Sequence, residues 1–355
     1  MILMMAAMAD GFHNASHNRF RDEFQKIYDE IVERISKAGK RKQKILPKPE
    51  FVENIVLLLK DKKDVLTFFD KCYEEMPFSI RANTLKIETE KLAKRLQHWD
   101  VERQDKIGLE EAFVIKRWLE PGELGNALEH RLGYFYVQSL SSMLPSKILN
   151  VEEHSLVLDC CAAPGSKTTH IAALMQNTGA ILANDISWQR NIALIANLQR
   201  CGVVNAIVTS IPFQRLAKQL KVKFDYILAD VPCSNEGTIR KNLAILKAWN
   251  KKLCLWMSKI QKSILCNALA LLKNNGTLVY STCTLNPEEN EAVIDFALKR
   301  FPIALEKIKL KFEARHGVTE WKGEKFSEEL KKAVRILPQD FNSEGFFIAK
   351  IKMEK

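Results

Sequence analysis

VLDCCAAPGSKTTH, residues 157–170, passes from an apolar run into small residues, a Pro-Gly pair and then Gly-Ser-Lys-Thr. Such a stretch reads as strand, tight turn and helix start, the place where an open α/β sheet receives its ligand. A nucleotide phosphate loop requires Gly-x-x-x-x-Gly-Lys-Ser/Thr, whose glycines let backbone amides wrap the phosphates. Cys161 and Ser166 occupy those two glycine positions, so that reading fails twice. A dinucleotide GxGxxG fails as well, because Gly165 is the only glycine between strand and helix.

Outward from this turn the pattern repeats. SLVLDCC, GAILAND, NAIVTS and FDYILAD read as short buried strands, separated by helices over His170 to Met175, Trp188 to Arg200 and Gln214 to Leu220. That rhythm predicts right-handed βαβ crossovers and an α/β, Rossmann-like, mostly parallel, doubly wound sheet. Leu243 to Lys273 reads as one long helix, with Leu246, Trp249, Leu253, Trp256, Ile260, Ile264, Ala268 and Leu271 at three- or four-residue steps. Its tryptophans are expected to pack rather than to stack on bases. NGTLVYSTC is a fifth strand, and NPEENEAVIDFALKR predicts a helix capped by Asn286, with Pro287 first and Glu289 at the capping-box position. VRILPQDFNSEGFFIAKIK predicts an antiparallel C-terminal hairpin at the sheet edge.

Upstream, residues 77 to 117 read strand, helix, strand, followed after Gly133 by an extended piece and a helix beginning near Ser139, whose hydroxyl suits a cap. Phe12 to Tyr73 looks helical, broken by KAGKRKQKILPKPE, where Lys37, Lys40, Arg41, Lys42, Lys44 and Lys48 meet no acid before Glu50. This is a linker or an RNA-facing loop, and a solvated basic turn is an equal reading. Three units are expected: 1–75, helical with the basic linker; 76–150, a small α/β RNA-binding subdomain; and 151–355, the catalytic domain.

The 355 residues, 46% of them hydrophobic, suffice for two domains with buried cores. The opening MILMMAAMA is apolar for only nine residues and meets Asp10, which fits neither a signal peptide nor a membrane span. Met4, Met5 and Met8 compete with Met1 as the translation start. Eight cysteines, with no CxxC pair and no histidines at zinc-ligand spacing, point to a reduced, cytoplasmic compartment and no metal. A net charge of +11 favours a polyanionic partner.

The opening turn suits a ligand with a zwitterionic tail and a ribose. Amides from Ala163 to Ser166 at a helix N-terminus meet a carboxylate, and Asp185 at the tip of the second strand accepts from ribose hydroxyls. S-adenosylmethionine satisfies both ends. Further on, DVPCS closes the fourth strand and STCT the fifth, bringing Cys233 and Cys283 to the carboxyl edge of the sheet. Cys201, Cys254 and Cys266, on helices, read as structural.

With IRANTLK (80–86), YVQSLSSMLP (136–145), LDCCAAPGSKT (158–168), ANDIS with Arg190, DVPCSNEGT (230–238), YSTCTLNPEENE (280–291) and RILPQDFNSEGFF (335–347), the chain resembles the Sun/NSUN-type, RsmB/RsmF-like RNA (cytosine-5) methyltransferases over residues 75 to 352. The resemblance implies a class I methyltransferase fold and S-adenosylmethionine held by Cys161, Ala162, Ala163, Pro164, Gly165, Ser166, Lys167, Asp185, Arg190 and Asp230. It also implies a covalent mechanism, since carbon 5 of cytosine is a poor nucleophile until a thiolate adds to carbon 6. Cys283 is then the nucleophile and Cys233 the residue of product release. Asp230 addresses ring nitrogen 3, and Lys167 stabilises charge or depresses a thiol pKa.

Departures from the family pattern are Pro212 where an adenine-binding Asp is usual, Val231 and Asn235 for the Ala and Gly of DAPCSG, and Gln339 for a frequent His. They are expected to affect cofactor affinity or substrate choice, with adenine held by backbone or apolar contact. Arg81, Arg240 and Lys241 join the basic linker as candidate RNA-backbone contacts. The target cytosine must be unstacked to admit a thiol. Because no RNA-binding module is evident at the C-terminus and the N-terminal helices are short, tRNA is favoured over rRNA. An rRNA enzyme, and a non-catalytic RNA-binding or ribosome-assembly factor, remain as alternatives. A monomer is expected, with RNA as partner and no membrane.

Overall fold

The computed structural model describes residues 15–37 and 45–354. Lys40, Arg41, Lys42 and Lys44 of the basic linker and the methionine-rich start lie outside the described residues.

Among the described residues three helices come first, Ala15–Lys37, Pro49–Leu59 and Lys62–Tyr73. Pro49 sits in the first turn of the second, where a missing N–H removes no helical bond. Asp61 caps the third by accepting from the Asp64 amide at 2.9 Å. The apolar faces, with Ile31, Phe51, Ile55 and Phe68, share a core with Leu246, Trp249 and Leu285 from much later in the chain. The N-terminal helices therefore cover the back of the segment that follows Cys283.

Next is a small antiparallel sheet of β1 (Ser79–Ala82), β2 (Val101–Gln104), β3 (Leu109–Ile115) and β4 (Phe135–Val137), in the order β2-β3-β1-β4. The strand–helix–strand reading omits β2. Its residues, VERQ, are largely polar and none is buried, so no apolar alternation marks it. A helix, Leu140–Leu149, then leads to the large sheet. Ser139 stands at its N-cap, but the hydroxyl donates to Glu344 Oε2 at 2.6 Å instead of capping the helix.

The large sheet contains β5 (Leu156–Asp159), β6 (Ala180–Asn184), β7 (Ala206–Thr209), β8 (Phe224–Asp230), β9 (Leu272–Thr282), β10 (Ile303–Glu306) and β11 (Arg315–His316). A two-stranded excursion follows, β12 (Glu320–Trp321) and β13 (Glu324–Lys325), before β14 (Val334–Ile336) and β15 (Phe346–Met353) complete the sheet. Strand order is β7-β6-β5-β8-β9-β15-β14-β11, with β10 also on β15. From β7 to β9 every pairing is parallel. β15 runs antiparallel to β9 and β14, with Phe347 opposite Thr282. This is the Rossmann-like α/β fold and antiparallel closing hairpin expected of class I methyltransferases. The order reverses between β5 and β8, which opens a crevice at their carboxyl ends.

Two further local expectations fail. The long helix over Leu243–Lys273 is two helices, Ala244–Ala248 and Lys251–Ala270, because Asn250 is extended and its side chain caps the second by accepting from the Leu253 amide at 2.9 Å. The helix assigned to start at Asn286 begins at Glu291. Asn286 Oδ1 instead accepts from the Glu288 amide at 2.9 Å in a preceding turn, and Glu289 faces inward.

Candidate active site

A cavity of about 660 Å³ opens where β5, β6, β8 and β9 end. Cys161, Ala162, Ala163, Pro164, Ser166, Lys167, Asp185, Arg190, Asp230, Cys233 and Cys283 all line it. Of the residues expected in the site, Gly165 alone does not. It lies beneath, at φ +102°, a backbone conformation that a side chain would strain, and an added Cβ would come within 2.9 Å of Leu194 Cδ1 and force that side chain aside.

At one end of the cavity, Asp159 closes β5. Its Oδ2 accepts from Thr168 Oγ1 at 2.7 Å while Oδ1 has no hydrogen-bond partner among the described residues. Burial pushes this carboxyl up to about 7, against the Thr168 bond. Asp185 accepts from the Ser187 amide at 3.0 Å and pairs with Arg190 at 2.9 Å, and Arg190 reaches back to Ala163 O. The Gly165 amide is not free for a ligand, since it closes the turn onto Ala162 O at 2.7 Å. The amides of Ser166 and Lys167, at the start of the helix Ser166–Leu174, face no preceding turn.

No acid follows β7. Phe213, Met257 and Ile260 form the wall there, with Trp256 beside them and Gln214 as the nearby amide. These residues fit S-adenosylmethionine: helix-start amides for its carboxylate, Asp185 for its ribose, an apolar slot for adenine. The open, buried acceptor on Asp159 suits a molecule carrying both an ammonium and a sulfonium.

At the other end, two sulfurs meet. Cys233 Sγ and Cys283 Sγ are 3.3 Å apart, and Cys283 Sγ lies 3.1 Å from Asn235 Oδ1. The hydrogen bond with Cys283 and burial hold the Cys233 thiol well above its ordinary range. In the same cavity, Lys167 Nζ pairs with Asp230 Oδ2 at 2.7 Å and donates to Ser142 Oγ at 3.1 Å, while Ser281 Oγ donates to Asp230 Oδ1 at 2.7 Å. Burial pulls the Lys167 ammonium down, but Asp230 outweighs it and leaves the pKa raised, so Lys167 is a cation. Phe346, at the start of β15, places its ring 5.4 Å from that ammonium.

Sequence reading passes over several of these residues. Asn235, which stands where the family pattern has Gly, takes a φ of +61° that Asn tolerates, and that backbone turns its amide onto the sulfurs. Contrary to the expectation that both tryptophans pack, Trp256 is 57% exposed at the cavity mouth, whereas Trp249 is buried. Arg81 and Arg240 are not RNA contacts. Arg81 is 1% exposed and binds Gln138, Ser166 O and Thr169, tying β1 to the cofactor-loop helix. Arg240 is buried against Ser343 O, Glu75 O and Asn342. Lys241 is exposed but pairs with Glu344. Gln339 reaches Asp64 of the N-terminal helices at 3.0 Å.

Residues 146–352 match the model of the 16S rRNA methyltransferase RsmB/F family, and residues 46–140 match the N-terminal domain of 16S rRNA methyltransferase RsmF. The chain belongs to the RsmB/F family. Membership makes it an S-adenosylmethionine-dependent RNA (cytosine-5) methyltransferase, as the sequence motifs imply. Among RsmB/F relatives, a tRNA (cytosine(49)-C(5))-methyltransferase of Pyrococcus abyssi is 38% identical over 340 residues, covering 94% of this chain and 98% of that protein. Ribosomal RNA small subunit methyltransferase F of Vibrio atlanticus is 38% identical over 307 residues, 85% of this chain but 63% of that protein. A methyltransferase homolog protein from Pyrococcus horikoshii superposes with a TM-score of 0.78 at 32% identity, covering 91% and 99% of the two chains. NSun6 from the same organism, solved with SFG, gives 0.73 at 25% identity, covering 86% and 98%. Among the described residues no helix is long and apolar enough to cross a membrane.

Proposed function

We propose that this RNA (cytosine-5) methyltransferase acts on tRNA, with Cys283 as nucleophile, Cys233 as the release residue and Lys167–Asp230 as the proton-holding pair. The observation that carries the assignment of roles is the 3.3 Å approach of two thiols in the same cavity as a buried lysine paired with a half-buried carboxylate. A scaffold protein needs neither thiol. What favours tRNA is that the tRNA enzyme matches 94% of this chain, against 85% for the rRNA enzyme, at the same 38% identity.

The sequence of steps follows from these groups. An unstacked cytosine enters beside the sulfurs. Cys283, as thiolate, bonds to carbon 6, and the electron pair displaced from the 5,6 double bond moves toward carbon 5 and the ring. Lys167 and Asp230 hold a proton for ring nitrogen 3, so that negative charge does not build up there. S-adenosylmethionine, when bound, supplies the methyl group to carbon 5. Release then needs the carbon-5 proton to pass to solvent water, its bonding pair re-forming the double bond as the Cys283 sulfur departs from carbon 6 with its electron pair, and the proton on ring nitrogen 3 returns to the Lys167–Asp230 pair. Cys233 Sγ, in contact with that sulfur, serves this stage.

The test is trapping on a denaturing gel with cofactor and either a tRNA transcript or a 16S rRNA fragment. Cys233→Ala is expected to accumulate a protein–RNA adduct with tRNA, and Cys283→Ala to give neither adduct nor product. Adduct with the rRNA fragment alone would reverse the substrate assignment, and product from Cys283→Ala would end the covalent reading.

A further inference from the structure

Glu289 reads in sequence as a helix-capping residue, yet its carboxylate is fully buried behind the two cysteines. Oε1 accepts from Ser234 Oγ at 2.5 Å and from Thr284 Oγ1 at 3.4 Å. Oε2 accepts from the Ser234 amide and from Gln261 Nε2, both at 3.0 Å. The two hydroxyls are themselves 2.7 Å apart, and Gln261 also donates to Pro232 O at 2.9 Å. Ser234 follows Cys233, Pro232 precedes it, and Thr284 follows Cys283. One carboxylate thus gathers the immediate chain neighbours of both sulfurs.

The gathering is unequal. Cys283 directly follows Thr282, which is paired with Phe347 across β9 and β15, and its own carbonyl accepts from the Gly237 amide at 2.8 Å. Cys233 lies beyond the end of β8 in a loop, whose backbone is held at the next residue by Glu289. Removal of the carboxylate loosens Cys233 while the sheet retains Cys283.

We infer that Glu289 is a positioning residue: by fixing the Cys233 loop against Cys283 it governs release of the methylated RNA rather than formation of the adduct. This rests on the roles proposed above for the two cysteines. Losing the hydrogen bonds that fix the loop is expected to slow turnover about tenfold.

The experiment compares wild type, Cys233→Ala, Glu289→Ala, Glu289→Gln and Ser234→Ala for turnover, cofactor affinity and trapped adduct. Glu289→Ala is expected to turn over about tenfold more slowly and to accumulate adduct as Cys233→Ala does, with cofactor affinity unchanged. Glu289→Gln, which keeps the shape and one acceptor oxygen, recovers most of the turnover. Loss of folded enzyme would instead lower adduct and product together. Should Glu289→Ala fail to fold, Ser234→Ala decides, since it removes only one hydroxyl; adduct above the wild-type level is expected. If Cys233→Ala traps RNA but the Glu289 and Ser234 variants do not, the inference is overturned and the cysteine roles stand. If Cys233→Ala traps nothing, the roles themselves are wrong.

Discussion

Arg81→Met distinguishes an internal strut from an RNA contact. The guanidinium gives hydrogen bonds to Gln138 Oε1 and Ser166 O at 2.6 Å and to Thr169 Oγ1 at 2.8 Å. At about 1.5–3 kcal/mol for each bond from a charged donor, the gross contribution is about 4.5–9 kcal/mol. Burial opposes it, pulling the pKa from 12.5 down to about 10, a cost of about 3 kcal/mol. Thr169 Oγ1 also bonds Gly165 O at 2.8 Å, so it is not stranded by the change. Methionine refills most of the volume with an unbranched apolar chain. The net expected loss is about 3 kcal/mol, which for a protein of this size lowers Tm by about 4 °C.

The assay pairs thermal unfolding with RNA affinity measured over a series of salt concentrations. Because Ser166 begins the cofactor-loop helix, cofactor affinity should fall as well, while the salt slope of RNA binding stays as in wild type. A lost phosphate contact would lower that slope by about one. An unchanged Tm together with a shallower slope would refute the strut.

Asp159 is pushed up to about 7 by burial, and Glu236 likewise to about 7. Both are raised above their unfolded values, so the native chain keeps protons that the unfolded chain has lost. Their stabilising contribution is whole below about pH 4 and disappears as pH rises through about 7. Asp159→Asn should therefore flatten the decline of Tm between about pH 5 and 8, and abolish the tightening of S-adenosylmethionine binding expected as the carboxyl ionises; calorimetry showing a variant as pH-dependent as wild type would contradict this. Trp256→Ala should raise KM for the cofactor about fivefold, the effect of losing one aromatic wall, and leave KM for RNA unaltered. A rise confined to RNA would move Trp256 from the adenine slot to the substrate surface.

What the sequence makes legible is chiefly what alternates or repeats at short range. The five parallel strands announce themselves as brief apolar runs, and the residues at their tips, Asp159, Asp185, Asp230 and Cys283, share one edge because parallel strands end together. The contacts that shape the site are of another kind. Glu289 looks like part of a local cap, but its partner Ser234 is 55 residues away. Arg81 and Arg240 look like surface charge because most arginines are, and their buried carbonyl and amide partners come from segments that no local pattern connects to them. Asn250 interrupts the long helix although apolar spacing runs through it: Trp249 packs on the N-terminal helices while Ile264 and Ala268 pack on the sheet, so one periodicity serves two cores. β2 has no apolar signal at all.

β15 is inserted between β9 and β14, and it is laid down well after the strand that delivers Cys283. While the chain is being synthesised, β9 must wait with one edge bare, an apolar ribbon open to other nascent chains. The enzyme therefore acquires its active geometry late, when a distant segment folds back into the middle of the sheet. A ribosome that stalls before that segment releases a sticky polypeptide rather than a slightly shortened enzyme.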